Sequence, residues 1–192
     1  MSLILASNSQ IRREMLVAAG VEHEVRSPAF DEDQVKSAGL LGEELARRLA
    51  EGKAASIGED SGAWVIGSDS TVSVDGRRYS KPRDRDQAAE HLRAFSGRTM
   101  LLSSAVALAR QGAVQWSHAE TARLRVRELS ERFIGHYLDL EWPEVGYCVG
   151  VFRMEGRGVT LFDKVEGSHF TILGMPLLPL LAALRERGLT PS

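Results

Sequence analysis

The sequence contains a single cysteine, Cys148, and therefore cannot form an intrachain disulfide. This scarcity is typical of a reducing compartment, and we expect the cytoplasm. Cys148 lies between Tyr147 and Val149, a setting that favours packing over a nucleophilic role. The chain also lacks an apolar run of the roughly 18 residues that a membrane span needs, and its short apolar start predicts no signal peptide.

An excess of charge of either sign is also missing, since 24 Lys and Arg face 26 Asp and Glu, for a net charge of −2. This balance predicts neither a nucleic-acid partner nor an anionic membrane surface, so any anion site must be local. Repeats and low-complexity segments are absent too. The 192 residues, 43% of them hydrophobic, predict a single domain over residues 1–192 with a core of its own.

The segment VIGSDSTVSVDGRRYSKP, residues 65–82, predicts a hairpin that carries charged side chains. Its apolar start indicates the end of a buried strand, which Gly67-Ser68 interrupts, and Asp69 follows at that edge. Alternating residues then predict strand as far as Asp75-Gly76, a strong two-residue turn, and Lys81 lies on the return. A carboxylate and an ammonium at one end of a sheet suit a metal and a phosphate chain, although an ordinary solvated hairpin explains the same pattern.

The first 20 residues predict a strand, a small polar loop and a helix. Residues 3–6 are apolar, and Ser9 is a plausible N-cap for a helix that ends at Gly20. Loop N–H groups and a helix N-terminus favour anions, and guanidinium groups add charge-assisted bonds to phosphate. Arg12 and Arg13 are adjacent on the helix, so we expect one of them to face a site and the other to face solvent.

The remaining chain predicts alternating helices and strands, and hence a mixed α/β fold. The acidic loop at residues 30–33 contains Glu32, and Lys53 comes near the end of a helix, where lysines are usually solvated partners of the helix dipole. The pattern predicts strands at residues 21–26, 100–109, 114–127, 145–154 and from 159, and helices at residues 42–57, from Asp84 or Asp86, after Ser130 and at 177–187.

Four stretches in order along the chain resemble the motifs of the Maf family. They are LASNSQIRREML, FDED with LARRLAEGKA, residues 65–82 with FSGRT, and EGRGVTLFDKVEGSHFTILGMPLL. The resemblance implies an elongated mixed β-sheet flanked by helices, with two lobes and a cleft, related to the inosine triphosphate pyrophosphatases. It also implies a nucleoside triphosphate pyrophosphatase, which releases a nucleoside monophosphate and pyrophosphate, with Mg²⁺ or Mn²⁺ as cofactor and a possible homodimer.

Matching positions in these motifs imply the roles of individual residues. The resemblance implies catalytic roles for Asp69, Glu32, Lys53 and Lys81, substrate binding by Ser7, Arg12 and Arg13, specificity at Ile11, Ser70 and Glu155, and metal binding by Glu32 and Asp69. Asp69 is expected to be the general base. The cationic side chains are expected to offset charge that develops on the leaving pyrophosphate.

Three positions favour a guanine-type substrate. The dTTP/UTP-cleaving branch typically has arginine at the position of Ile11, threonine at that of Ser70 and glutamine at that of Glu155. A carboxylate only accepts hydrogen bonds, and guanine presents N1–H and its 2-amino group side by side. The resemblance is therefore to the 7-methyl-GTP branch.

Other functions remain open from the sequence. Cleavage of dTTP or UTP is one alternative, and a nucleotide-binding regulator of cell division without turnover is another. A phosphatase with an aspartyl-phosphate is disfavoured, because Asp69-Ser70-Thr71 lacks the second aspartate of that motif. Pyrophosphate among the products would distinguish a nucleoside triphosphate pyrophosphatase from such a phosphatase.

Overall fold

The computed structural model describes residues 2–57 and 62–191, and its centre is a seven-stranded sheet. The strand order is β2-β1-β3-β5-β6-β7, with β4 paired to β3. The strands are β1 (Leu3–Ala6), β2 (Glu24–Arg26), β3 (Trp64–Val74), β4 (Arg77–Tyr79), β5 (Thr99–Arg110), β6 (Ala113–Val126) and β7 (Phe162–Glu166).

The sheet is mixed, as expected. β1 runs parallel to both β2 and β3, whereas every other pairing is antiparallel. The Asp75-Gly76 turn joins β3 to β4, and both residues have the positive φ that a tight hairpin requires, 50° and 75°. The helices are α1 (Gln10–Ala18), α2 (Glu32–Lys36), α3 (Gly42–Ala55), α4 (Arg85–Phe95), α5 (Glu131–Glu141), α6 (His169–Ile172) and α7 (Leu177–Glu186), with 3₁₀ helices at Glu144–Tyr147 and Arg157–Leu161.

Helix α3 packs closely on one face of the sheet because the contact is made of small residues. The buried alanines of α3 at positions 46, 50 and 54 cluster with Ala105, Ala107 and Ala109 of β5. Gly67 of β3 lies under the same helix, where a Cβ atom would stand 2.2 Å from the Ala50 carbonyl oxygen. Only glycine permits this approach, which brings the end of α3 against the middle of β3.

The opposite face carries two separate apolar cores. One includes Leu16 of α1 and Leu180 of α7, which pack with Ile66 near the start of β3. The other includes Leu92 of α4 and Ile134 of α5, and it takes in the far end of β3. These two cores correspond to the two lobes expected from the sequence.

Strand β3 is unbroken, so the predicted interruption at Gly67-Ser68 is wrong. Both residues pair with β5, opposite Ala107 and Val106. Gly67 marks the close approach of a helix, and the buried Ser68 hydroxyl donates to the Ala105 carbonyl at 2.7 Å, so neither residue disrupts the ladder.

The predicted strand at residues 145–154 is also wrong. Val145, Val151 and Phe152 of this segment are buried, but they reach the core from a 3₁₀ helix and a series of turns. Val151 has a φ of 55°, and its carbonyl accepts a hydrogen bond from the Tyr137 hydroxyl at 3.0 Å. Two glycines permit close packing here, since a Cβ at Gly146 would lie 2.9 Å from Trp142 ring carbons and one at Gly150 would lie 2.6 Å from the Phe152 ring.

Smaller differences concern element ends. The strand predicted at residues 21–26 is reduced to β2, and the one predicted from residue 159 starts at Phe162, after a 3₁₀ helix. The expected acidic loop is instead the start of α2, because Asp31 caps it by accepting from the Asp33 backbone N–H at 3.0 Å. Within the described ranges, none of the helices has the length and apolar character of a membrane-spanning segment.

Candidate active site

A cleft of about 980 Å³ lies where one edge of strand β3 has no neighbouring strand. Pairing of β3 with β1 ends at Gly67, and pairing with β4 begins at Val72. The four residues between them therefore present backbone groups and side chains at an open edge, between the two cores. Asp69, Ser70 and Thr71 line the cleft from this interval.

Lys53 joins two carboxylates at the centre of the cleft. It lies in the last turn of α3 with only 8% of its surface exposed, so it is not the solvated partner of a helix dipole that is usual at such a position. Its Nζ lies 2.5 Å from Asp69 Oδ1 and 2.8 Å from Glu32 Oε1. The alanine contact of α3 with the sheet places Lys53 here, and a buried ammonium requires such partners because desolvation is costly.

Glu32 has a second cationic partner on its own helix. Lys36 Nζ lies 2.5 Å from Glu32 Oε2, one helical turn away. Burial favours the neutral acid, but hydrogen bonds from Lys36 and Lys53 outweigh it and lower the pKa of Glu32 to about 2. Glu32 is therefore an anion at neutral pH and a weak proton acceptor.

Arg12 closes the open edge of β3. Its guanidinium donates to the carbonyls of Ser68 at 2.8 Å and Gly174 at 2.9 Å, and to the Ser70 hydroxyl at 3.1 Å. Burial lowers the pKa of Arg12, and the nearby carboxylates of Asp69 and Glu32 oppose that shift. Arg12 thus holds the strand edge together and adds positive charge beside the cleft.

Arg13 lies elsewhere. Its side chain is exposed and is not among the described residues that line the cleft. Of the two adjacent arginines, the structure brings only Arg12 to the cleft, as the geometry of a helix requires.

The other predicted positions meet in the same cleft. Ser7, Ile11, Lys81 and Glu155 all line it. Ser7 is 5% exposed, and its Oγ accepts from the Ser9 backbone N–H at 3.2 Å, which fixes the loop before α1. Lys81 is exposed after β4, so its ammonium is available to a ligand.

The Ser70 hydroxyl contacts three other residues of the site. Besides Arg12, its hydroxyl contacts Ser104 Oγ at 2.8 Å and the Gly174 carbonyl at 3.2 Å. A Cβ at Gly174 would lie 3.2 Å from the Ser70 Oγ. The predicted specificity position therefore also has a structural role, because it aligns Arg12 with the strand edge.

Glu155 lies on a turn that an ion pair holds. Glu141 at the end of α5 is 4% exposed, and its Oε2 lies 3.0 Å from Arg153 Nη2. Gly158 packs against the Arg153 backbone, where a Cβ would lie 2.4 Å from the carbonyl oxygen. The turn is thereby fixed at both ends, while the Glu155 side chain stays exposed at the cleft wall.

Cys148 lines the cleft as a neutral thiol. Burial, and next the carboxylate of Glu155, raises the pKa of Cys148 to about 11. Since the thiolate is the nucleophile, this environment supports the packing role expected from the sequence.

The sequence did not single out Lys36 or Arg78. Arg78 of β4 lines the cleft and donates to the Lys36 carbonyl at 3.0 Å, which connects the hairpin to α2. The spacing of Glu32 and Lys36 is that of an i, i+4 ion pair, which becomes readable once the acidic stretch is taken as a helix.

The donor set suits a hard divalent cation that is shared with an anionic ligand. Among residues 2–57 and 62–191, no group of three or more His, Cys, Asp or Glu side chains is placed to hold a metal. Two carboxylates, Glu32 and Asp69, do converge within 2.8 Å of one point, the Lys53 ammonium. Mg²⁺ is typically held by one or two carboxylates together with phosphate oxygens, so the residues fit that mode of binding.

Comparison with known protein families identifies a match along almost the whole chain. The profile described as Maf-like protein matches residues 2–187. This confirms the family resemblance seen in the four sequence motifs.

Several similar proteins are named for an enzymatic activity. A "Nucleoside triphosphate pyrophosphatase" of Nitrobacter hamburgensis is 49% identical over 190 residues, covering 97% of this chain and 94% of that protein. A "7-methyl-GTP pyrophosphatase" of Rhizobium meliloti is 46% identical over 191 residues, covering 97% and 96%. Among solved structures, the Staphylococcus aureus Ham1 protein covers 98% of this chain and all of its own, at 18% identity and a TM-score of 0.54, and so has a similar fold.

Proposed function

The chain belongs to the Maf-like protein family, and we propose that it is a nucleoside triphosphate pyrophosphatase with 7-methyl-GTP as its preferred substrate. It cleaves between the α- and β-phosphates and releases a nucleoside monophosphate and pyrophosphate. The activity names of relatives at 46–49% identity over nearly the full length support this reaction.

One observation of the structure carries the proposal. Lys53 lies between Glu32 and Asp69 at the open edge of β3, with Lys36, Lys81 and other cations on the same cleft. Carboxylates for a cation and ammonium groups for phosphates are both needed to bring a nucleophile to a highly anionic chain.

The two carboxylates, Glu32 and Asp69, have different roles in the reaction. Glu32, whose pKa is lowered to about 2, suits a metal ligand and not a base. Asp69 orients water and accepts its proton, and it also lies close enough to share the cation. A bound Mg²⁺ or Mn²⁺ supplies charge neutralisation and activation of water.

The cations stabilise charge on the phosphate chain. Lys53 and Lys81 offset the negative charge that develops on the departing pyrophosphate. Arg12 keeps two of its five N–H groups beyond the three bonds described above, and Ser7 with the loop before α1 positions the phosphates. Because the chemistry consists of positioning and electrostatics, Cys148 has no nucleophilic part in it.

Glu155 selects the base. Its carboxylate accepts hydrogen bonds from N1–H and the 2-amino group of guanine, a pair of donors that thymine and uracil do not have. Ile11 offers the base an apolar side chain where an arginine would offer donors to a pyrimidine carbonyl.

The test is a panel of canonical and modified nucleoside triphosphates, assayed for pyrophosphate with Mg²⁺ and with Mn²⁺. The expected result is metal-dependent pyrophosphate release, with the highest kcat/KM for 7-methyl-GTP. Release of orthophosphate alone, or no release from any member, contradicts the reaction. A preference for dTTP or UTP contradicts the assignment of the base only.

A further inference from the structure

Tyr147 is an aromatic side chain left open inside the cleft. It is 69% exposed and lines the cleft, whereas Tyr79 and Tyr137 are 8% and 2% exposed in the cores. Its ring is absent from the aromatic pairs found within the described ranges. A planar ligand that covered this ring would bury apolar surface that the folded chain alone leaves in water.

The position of Tyr147 is fixed by its backbone. It ends the 3₁₀ helix at Glu144–Tyr147, and Cys148 N–H donates to the Val145 carbonyl at 3.1 Å. Gly146 lies on the Trp142 ring, where a Cβ would come within 2.9 Å of ring carbons. The backbone that carries the ring is therefore ordered before a ligand binds, which reduces the entropic cost of binding.

The surroundings of Tyr147 are acidic. Glu144 and Glu155 line the same part of the cleft. Burial is the main cause of the raised pKa of the neighbouring Cys148 thiol, the carboxylates of Glu155 and Glu144 add to it, and Lys81 and Arg153 oppose it. The Arg153 charge is already paired with Glu141, so the exposed Glu144 and Glu155 are opposed mainly by Lys81.

We propose that Tyr147 stacks on the substrate base and, together with Glu144 and Glu155, selects a base that carries a positive charge. This inference deepens the proposed function and rests on it. Glu155 alone cannot separate 7-methyl-GTP from GTP, because both present the same two donors at N1 and the 2-amino group. Methylation at N7 makes the base cationic, and an aromatic face between carboxylates attracts a cation more than a neutral ring.

The cleft then matches the charge pattern of the whole nucleotide. Lysines and Arg12 surround the position of the phosphates, and Tyr147 with two glutamates surrounds the position of the base. A neutral guanine still stacks on Tyr147, but it gains nothing from the two carboxylates beyond its hydrogen bonds.

Three variants and one control test this inference, and one of the variants is Glu144→Gln, which removes a carboxylate charge. Tyr147→Leu removes the aromatic face and keeps apolar bulk, and Tyr147→Phe keeps the face. Leu178→Ala changes a residue of α7 that is 61% exposed and lies outside the cleft. Each protein is titrated calorimetrically with 7-methyl-GMP and with GMP, and kcat/KM is measured for the two triphosphates.

We expect wild type to bind 7-methyl-GMP more tightly than GMP. Tyr147→Leu is expected to lower the 7-methyl preference about tenfold, the scale of a desolvated cation–π contact. Tyr147→Phe and Leu178→Ala are expected to keep it, and Glu144→Gln to lower it by a smaller factor.

Equal binding of the two monophosphates by wild type overturns the inference, and so does an equal loss for both in Tyr147→Leu. Binding of a monophosphate needs no turnover, so the titration decides the inference even when no triphosphate is cleaved. Absence of pyrophosphate release, in contrast, overturns the proposed reaction and leaves the titration result standing.

Discussion

The two walls of the cleft are built in different ways. One wall carries Glu32, Lys53 and Asp69 on helices and on the central strand, at distances of 2.5 to 2.8 Å. The other wall, residues 144–158, consists of a 3₁₀ helix and turns, and it presents Tyr147 and Glu155 as exposed side chains. Ion pairs hold the first arrangement in place, as the positioning for bond-breaking chemistry requires. The second leaves its functional groups free for a ligand, which suits recognition.

This difference implies that substitutions in the first wall affect every substrate equally, whereas substitutions in the second change the preference among substrates. The following four substitutions test that contrast, beginning with the largest expected effect.

Asp69→Asn is expected to lower kcat by roughly 10²-fold or more for all nucleotides, the usual scale for positioned proton transfer. The amide keeps the shape of the side chain but cannot accept a proton at neutral pH. The measurement is steady-state pyrophosphate release with each triphosphate. Asp75→Asn in the hairpin turn is the matched control, and kcat within a few-fold of wild type for Asp69→Asn would remove this residue from catalysis.

Gly67→Ala is expected to lower the free energy of unfolding by about 1–3 kcal/mol, because the new Cβ would lie 2.2 Å from the Ala50 carbonyl oxygen. The shift of α3 should also displace Lys53 and reduce turnover of every substrate. Urea denaturation and kinetics provide the two readouts. Gly135→Ala in α5 is the control, because nothing lies within 4 Å of its Cβ position. Equal stability of the two variants would contradict the tight contact.

Glu155→Gln is expected to weaken the preference for guanine-type triphosphates by about 1–3 kcal/mol, the scale of a bidentate contact with a base. The amide replaces one acceptor with a donor, which clashes with a guanine donor and suits a pyrimidine carbonyl. The relevant quantity is the ratio of kcat/KM for 7-methyl-GTP, GTP, dTTP and UTP. An unchanged ratio would show that Glu155 does not contact the base.

Glu32→Gln is expected to have the smallest effect on stability, an effect that is present near neutral pH and disappears in acid. The pKa of Glu32 is lowered from 4.5 to about 2 in the folded state, so its ion pairs stabilise the fold fully above pH 4.5. That contribution is lost as the pH falls through about 2, and partial exposure of Glu32 reduces its size. Chemical denaturation at pH 6 and pH 3 should therefore show a smaller decrease for the variant than for wild type. Equal decreases would indicate that the ion pairs add no stability.

Regular elements were predictable because their signals are local. Alternating apolar residues predicted β5 and β6 within a few residues, and Ser130 predicted the cap of α5, where its hydroxyl accepts from the Phe133 backbone N–H. The wall at residues 144–158 was not predictable in this way. Val145, Val151 and Phe152 are buried individually by α5 and the sheet, so the spacing of these residues has no period of a strand or helix.

The sequence motifs predicted which functional groups line the cleft but not how those groups are arranged. The sequence placed Arg12, Glu32, Lys53, Asp69 and Lys81 in one site through family resemblance, and nine of the ten predicted positions line the cleft. It did not indicate that Lys53 is buried, because a lysine near the end of a helix is ordinarily solvated. Its burial follows from Gly67 and three alanines of α3, which are in contact only when the helix lies on the sheet.

The sequence by itself determined which chemical groups this protein has and the order in which its helices and strands follow. Both depend on side-chain type and on short-range periodicity, which are written directly in the chain. Only the tertiary structure decided that residues 68–71 of β3 pair with β5 on one edge but with no strand on the other, and that Arg12, from a distant helix, covers this open edge. It also brought Tyr147 to the same cleft as Lys53. Such contacts join residues far apart in the chain, and their energy comes from the packing of the whole fold and not from any local segment.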